Sequence, residues 1–137
     1  MASCPFCAVV DGSQPIAVVL EDAVVVAFLD HRPVFKGHVL IVPKAHVETL
    51  ADLPGDAVGP FFERVQRIAV AVQDGLEADG SFVAMNNVVS QSVPHLHVHV
   101  VPRRRKDGLR GFFWPRTRYT NDAEMAEYAS RIRDALR

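Results

Sequence analysis

His95-Leu96-His97-Val98-His99 puts three imidazoles at every second position of an apolar run that closes at Pro102. An imidazole has an unperturbed pKa of about 6.5, so near neutral pH it can serve as a base, a nucleophile or a metal ligand. The intervening Leu96, Val98, Val100 and Val101 are aliphatic and mostly β-branched, which favours a strand. Strand side chains alternate faces, so the three imidazoles are expected on one face, about 6.6 Å apart, with the aliphatic residues on the other. Directly upstream, Ser90-Gln91-Ser92-Val93-Pro94 supplies hydroxyls and backbone N–H groups, which suit an oxyanion such as phosphate. The two cysteines of the chain form Cys4-Pro5-Phe6-Cys7. At that spacing, and behind a start with no basic n-region and no long apolar h-region, they point to metal or redox chemistry rather than a structural disulfide. A cytoplasmic location is the matching expectation.

Several elements must hold these groups. Ile16 to Leu20 and Ala23 to Leu29 have the composition of two strands joined at Glu21-Asp22, and His38 to Val42 of a third, preceded by Gly37 and closed by Pro43. The period then changes. Val58, Phe61, Phe62, Val65, Ile68, Ala69, Val72 and Leu76 recur at threes and fours, which marks a long amphipathic helix. Its start is expected between Asp56 and Gly59, with Pro60 in the first turn, where a missing N–H costs least. Phe82 to Asn86 is a fourth strand and the histidine segment a fifth. Asn121 followed by Glu124 has the form of a helix cap, and Met125, Tyr128, Ile132 and Leu136 give a short second helix. This order predicts an α+β fold with a five-stranded, largely antiparallel sheet, one face under the long helix and the other carrying the histidines.

Composition narrows the partners. The chain has 137 residues, 49% of them hydrophobic, enough for one domain with a sizeable core. Its net charge of -1 argues against a general polyanion binder. No apolar stretch reaches the roughly 18 residues that a membrane span needs. Charge is nonetheless uneven: from Arg103 to Arg118 there are seven Lys/Arg and one acid, Asp107, interleaved with Phe112, Phe113 and Trp114. This segment, 103–137, follows a core of about 4–103. It could contact substrate or a partner subunit, form a solvated charge run, or bind nucleic acid by charge and stacking; nucleic acid is the least favoured of the three.

The stretch Gln91-Ser92-Val93-Pro94-His95-Leu96-His97-Val98-His99-Val100-Val101-Pro102-Arg103 resembles the signature of the histidine triad family. Cys4-Pro5-Phe6-Cys7, Ala27-Phe28-Leu29-Asp30, Gly37 to Lys44 and His46 resemble its N-terminal half in content and order, so the likeness runs from about Cys4 to Arg103. Five of the six histidines fall on family positions, and only His31 does not. The resemblance implies a nucleotide hydrolase or transferase that cleaves an AMP-type group from a phosphoramidate, an acyl-adenylate or a dinucleoside polyphosphate. It implies His97 as the nucleophile, His99 on the phosphate or the leaving-group proton, and His95 and His38 in support. It places Asp30 at the ribose hydroxyls. Asn86 and Ser92, with Gln91 of the same loop, are the expected phosphate-side donors, with Asn87 as the alternative to Asn86. Phe6, Phe28 and Leu29 are candidate walls for the base, which the family leads one to expect to be a purine. A structural zinc on Cys4, Cys7, His46 and His95 is implied in the same way; its rival is a catalytic zinc on the triad, whose bound water attacks phosphate. Family members usually form homodimers that join two such sheets. The rival functions are a dinucleoside polyphosphate hydrolase or phosphorylase, and a nucleotide-sensing protein with weak turnover. One departure stands out: Asn86-Asn87-Val88-Val89-Ser90-Gln91-Ser92 is shorter than the family's loop and has no glycine.

Overall fold

The structure is a computed structural model that describes residues 4–109 and 116–137. It forms two compact units, Met1–Asp107 and Gly108–Arg137. Phe112, Phe113 and Trp114, the aromatic part of the basic segment, lie outside the described residues.

In the first unit, helix α1 (Pro5–Val10) precedes strands β1 (Val18–Glu21), β2 (Val25–Leu29) and β3 (Val39–Pro43). A 3-10 turn at Leu50–Asp52 leads into helix α2 (Gly55–Gly75), followed by β4 (Gly80–Ala84) and β5 (Val98–Arg103). The five strands form one sheet in the order β1-β2-β3-β5-β4, with every neighbouring pair antiparallel. The α+β architecture read from the sequence is therefore present.

Strand alternation decides what each face carries. Val25, Ala27, Val39, Ile41, Val98 and Val100 pack with Leu96 against Phe61, Val65, Ile68 and Val72 of α2. On the other face Val26, Phe28, Leu40 and Val42 pack against Val9 of α1. The expectation of one covered face and one bare histidine face therefore needs amendment. α1, which hydropathy periodicity does not reveal in six residues, covers part of the second face. Its local cause is legible: Cys4 is the N-cap and accepts from Cys7 N–H, and Pro5 sits at the first helical position.

Two boundaries differ from the sequence expectation in ways that matter. α2 begins at Gly55, capped by Pro54, whose carbonyl takes the first turn's bond from Ala57 N–H at 2.9 Å. Pro60 is then the sixth helical residue and lies past the first turn. β5 begins at Val98, so His95 and His97 precede the paired region. Pro94 cannot donate to a ladder, and Leu96 N–H instead reaches Val47 O at 2.7 Å. The imidazoles thus escape the even spacing of a regular strand, and the rings of His97 and His99 approach to 5.1 Å.

Gly37, with φ +98, leads into β3, and a Cβ there would overlap Leu76 Cδ1. The start of the basic run is spent within the chain. Arg103 forms a two-pronged pair with Asp107 at 2.6 and 3.1 Å, and Arg104 caps α2 by donating to Leu76 O at 2.7 Å. In the second unit, helix α3 (Asp122–Ala135) has Asn121 as its cap, accepting from Glu124 N–H. Met125, Tyr128, Ile132 and Leu136 form its exposed apolar stripe.

Candidate active site and metal centre

His97 is 97% withdrawn from solvent, and its Nδ1 lies 2.8 Å from the backbone oxygen of His95. A carbonyl only accepts, so Nδ1 carries the proton and donates. That leaves the lone pair of His97 on Nε2. The ring is held edge-on by Phe6, centroid to centroid 5.0 Å.

A second set of bonds fixes His38 and His99. Val34 N–H donates to His38 Nδ1 at 3.1 Å, so His38 carries its proton on Nε2. That N–H donates in turn to His99 Nδ1 at 2.9 Å, which leaves the His99 proton on its own Nε2. Donors and acceptors alternate along this chain. Burial is the main reason that both rings stay neutral. It lowers His38, and with repulsion from His97 and His38 it brings His99 down to about 4, against the opposing pull of Asp30. Asp30 Oδ2 lies 3.8 Å from His38 Nδ1, while its other oxygen accepts from Arg32 N–H at 2.9 Å. His31, the histidine without a family position, is exposed.

His95 faces elsewhere. Its Nε2 donates to Pro43 O at 2.9 Å, so the Nδ1 lone pair is free, and it points at Cys4, Cys7 and His46. Cys4 Sγ is 3.5 Å and Cys7 Sγ 3.6 Å from His95 Nδ1, His46 Nδ1 is 3.1 Å from it, and Cys7 Sγ is 3.2 Å from His46 Nδ1. With Zn–N near 2.05 Å and Zn–S near 2.3 Å, a tetrahedral site has N–N edges of about 3.3 Å and N–S edges of about 3.5 Å. The four atoms fit that shape. Burial and the adjoining Cys4 raise the Cys7 thiol, as expected of two sulfurs crowded together without a cation. His95 therefore turns toward the cysteines, and its part in the catalytic face is its backbone oxygen.

The sheet register sorts the remaining candidates. Phe28, Leu40, His99 and Ala84 lie in one row across β2, β3, β5 and β4, so Phe28 shares the face of the histidines. Phe28 packs against Phe6 at 5.6 Å. Leu29 pairs with Val39 and lines a groove with Ile68, Val72 and Leu76 of α2. Its expected place at the base is thus corrected by one step of strand alternation, which puts it on the opposite face. Gln91 is also diverted: it donates to Glu48 O at 2.6 Å and accepts from Val88 N–H at 3.0 Å, so it braces the loop. Asn87 accepts from Leu50 N–H, and Asn86 donates to Ser90 O. Ser92 is exposed. In this loop without glycine, Val88 (φ 68) and Ser90 (φ 61) adopt the left-handed conformation, a strain of about 1–3 kcal/mol each.

Sequence reasoning missed the Val34 amide, the Pro43 carbonyl and the ring contact of Phe6, all of which orient imidazoles. Only Phe6 left a signal, since a Pro after a capping Cys marks a helix start that places it.

Such a fold and site define a small α+β protein built around a buried histidine cluster. The HIT domain model matches residues 11–106, and the chain belongs to the histidine triad (HIT) family. It is 39% identical over 114 residues to the protein hit of Bacillus subtilis, covering 82% of this chain and 79% of that one. It is 32% identical over 120 residues to adenosine 5'-monophosphoramidase HNT1 of Candida albicans, with coverage of 83% and 79%. A solved HIT family structure from Bacillus subtilis superposes with a TM-score of 0.85 at 33% identity and 99% coverage of both chains. A Zn-bound histidine triad protein from Mycobacterium smegmatis gives a TM-score of 0.74 at 38% identity, over 94% of this chain and 97% of that one.

Proposed function

We propose that this protein is a nucleotidyl hydrolase that cleaves an AMP-type group from its leaving group through a covalent intermediate on His97. The hydrogen bond from His97 Nδ1 to His95 O carries the reading, because it places the proton on Nδ1 and leaves the lone pair on Nε2, a nucleophile that needs no prior deprotonation. Nε2 attacks the α-phosphorus, the N–P bond forms, and the bond to the leaving group breaks with its electron pair departing on that group, which takes up a proton from solvent. Water then attacks the same phosphorus and gives up a proton to solvent, the N–P bond breaks, and the imidazole recovers its lone pair. Splitting one displacement into two steps suits imidazole, which is both a competent nucleophile and a competent leaving group. His99, neutral and with Nε2–H outward, acts here as a hydrogen-bond donor to the phosphoryl oxygens rather than as an acid. Positioning and charge stabilisation are what phosphoryl transfer chiefly requires. Asp30 is assigned to the ribose hydroxyls, Phe6 and Phe28 to a purine base, and Asn86 and Ser92 to the phosphate.

A relative named as an adenosine 5'-monophosphoramidase supports the AMP half of the substrate. Zinc at Cys4, Cys7, His46 and His95 belongs to the same reading. Bound there it would neutralise two thiolates and tie α1 to the start of β5; no reaction step passes through it. A homodimer is also part of the proposal, supported by the exposed stripe of α3, and sedimentation checks it. No described helix is long and apolar enough to cross a membrane, and a cytoplasmic setting is proposed.

The decisive experiment is His97→Ala with an adenosine phosphoramidate as substrate. Turnover is expected to fall by at least about a thousandfold while AMP binding persists. Full activity in the variant would sink the mechanism. A wild type that binds AMP but turns over no phosphoramidate, acyl-adenylate or dinucleoside polyphosphate would instead identify a nucleotide sensor.

A further inference from the structure

The metal cluster and the nucleophile share parts. His95 offers its side chain to the cysteines and its backbone oxygen to His97 Nδ1. Phe6 stands between the two cysteines in sequence and lies against His97 at 5.0 Å, Phe28 at 5.6 Å and His95 at 6.1 Å. Both links run through α1. A six-residue helix is not stable alone, so α1 depends on what holds it. Two things do: the packing of Val9, with Phe6 and Val10, on Val26, Phe28, Leu40 and Val42, and the two sulfurs at its first turn. The anchor is open to solvent on one side, since His46 is exposed and Cys4 and Cys7 are half-buried.

We propose that the Cys4, Cys7, His46 and His95 centre is a switch on the nucleotide site, opened when its metal is released by chelation or by oxidation of the two cysteines. This rests on the nucleotide reading above. Release frees the start of α1, withdraws Phe6 from His97 and loosens His95, whose carbonyl selects the His97 tautomer. The oxidative route balances with a hydroperoxide as the named oxidant. The two zinc-bound thiolates lose two electrons and form the Cys4–Cys7 disulfide. The O–O bond breaks, and with two protons from solvent it yields an alcohol and water, while Zn²⁺ departs. The two Sγ atoms lie within 4.8 Å, so closure needs only local movement. A thiol reductant and zinc reverse the change.

The test loads the full chain with zinc and measures AMP affinity by calorimetry, α1 amide exchange, and the ¹⁵N shifts of the His97 ring before and after a chelator. The expected result is an AMP Kd weakened at least tenfold, loss of α1 protection, and a His97 ring no longer fixed as Nδ1–H, all restored by added zinc. An alkyl hydroperoxide should release zinc at one per chain and weaken AMP in proportion. A Kd unchanged within twofold and unchanged His97 shifts after complete zinc loss would overturn the proposal and leave a purely structural metal. Zinc retained under hydroperoxide would overturn the oxidative trigger. If the zinc-loaded chain does not bind AMP, the nucleotide reading falls, and the switch is judged by the His97 shifts alone. Phe6→Ala, which keeps all four ligands, covers the case in which the metal-free chain loses its sheet. At full zinc occupancy, with AMP affinity set aside because Phe6 is also assigned to the base, it should release His97 from the fixed Nδ1–H tautomer; an unaltered tautomer overturns the coupling.

Discussion

Two clusters flank His97, and they are wired by opposite rules. In Asp30, His38 and His99, donors and acceptors alternate: the Val34 amide fills one nitrogen of His38, and His38 fills one of His99. In Cys4, Cys7, His46 and His95, the Pro43 carbonyl takes the Nε2 proton of His95 and turns its lone pair toward two sulfurs. The first cluster is linked by a proton shared between two rings. The second has the donor set and edges of a cation site. The same residue type thus serves opposite ends, and the difference comes from whether a backbone amide or a backbone carbonyl reaches the ring first. It also separates the two zinc expectations. Among the described residues the three histidines do not gather as one metal group: His95 lies with Cys4, Cys7 and His46, and His99 with Asp30 and His38.

Replacing members of one cluster should leave the other intact, and this gives the largest expected contrast. His38→Ala removes the donor that orients His99 and should lower kcat/KM by about a hundredfold, within the usual range for a positioned hydrogen-bonding group. Zinc content measured by elemental analysis should not change. A parallel loss of zinc would mean that the two clusters are not separate. Gly37→Ala strikes one residue before His38. The positive φ and the overlap with Leu76 should cost about 2 kcal/mol, and the melting temperature should fall by several degrees. An unchanged melting temperature would show that the close approach is not needed.

Acid should distinguish the clusters more gently. The folded pKa of His99, about 4, lies below the unfolded value near 6.5, and His38 is shifted in the same direction. Between those values the unfolded chain binds more protons than the folded one. Stability is therefore fully present above about pH 6.5 and is lost as pH falls toward 4, after which the His99 contribution levels off. A thermal-melt series across this range reads the slope, and a flat profile would contradict the buried, neutral chain. The smallest effect is expected from Asp30→Asn. Asp30 raises both rings against burial, so its removal should move the His99 titration further down by a fraction of a pH unit, as read by NMR.

Much of this was legible in the chain. The antiparallel sheet, the long helix and the cap of α3 follow from period and capping residues, because those signals are local. His95, His97 and His99 could be singled out for the same reason. Separate roles for them came only from the resemblance, because the bonds that orient each ring are made by Val34, Pro43 and Val47, distant residues that act through main-chain atoms, and any sequence supplies those. Phe28 and Leu29 are neighbours in one strand, so only one of them can share the histidine face, and the register against Leu40 and His99 selects Phe28. Gln91 looked like a phosphate ligand by position, yet both ends of its amide are taken by the turn that it braces.

Gly37 has a consequence beyond its own backbone. The missing side chain is what lets Leu76, at the end of α2, settle against the residue that introduces His38. The end of α2 therefore closes directly on the residue that precedes His38. A side chain at position 37 meets two separate obstacles, the left-handed backbone (φ +98) and Leu76, and trimming position 76 removes only the second. A library that varies both positions at once should consequently keep glycine at 37 even where 76 is small.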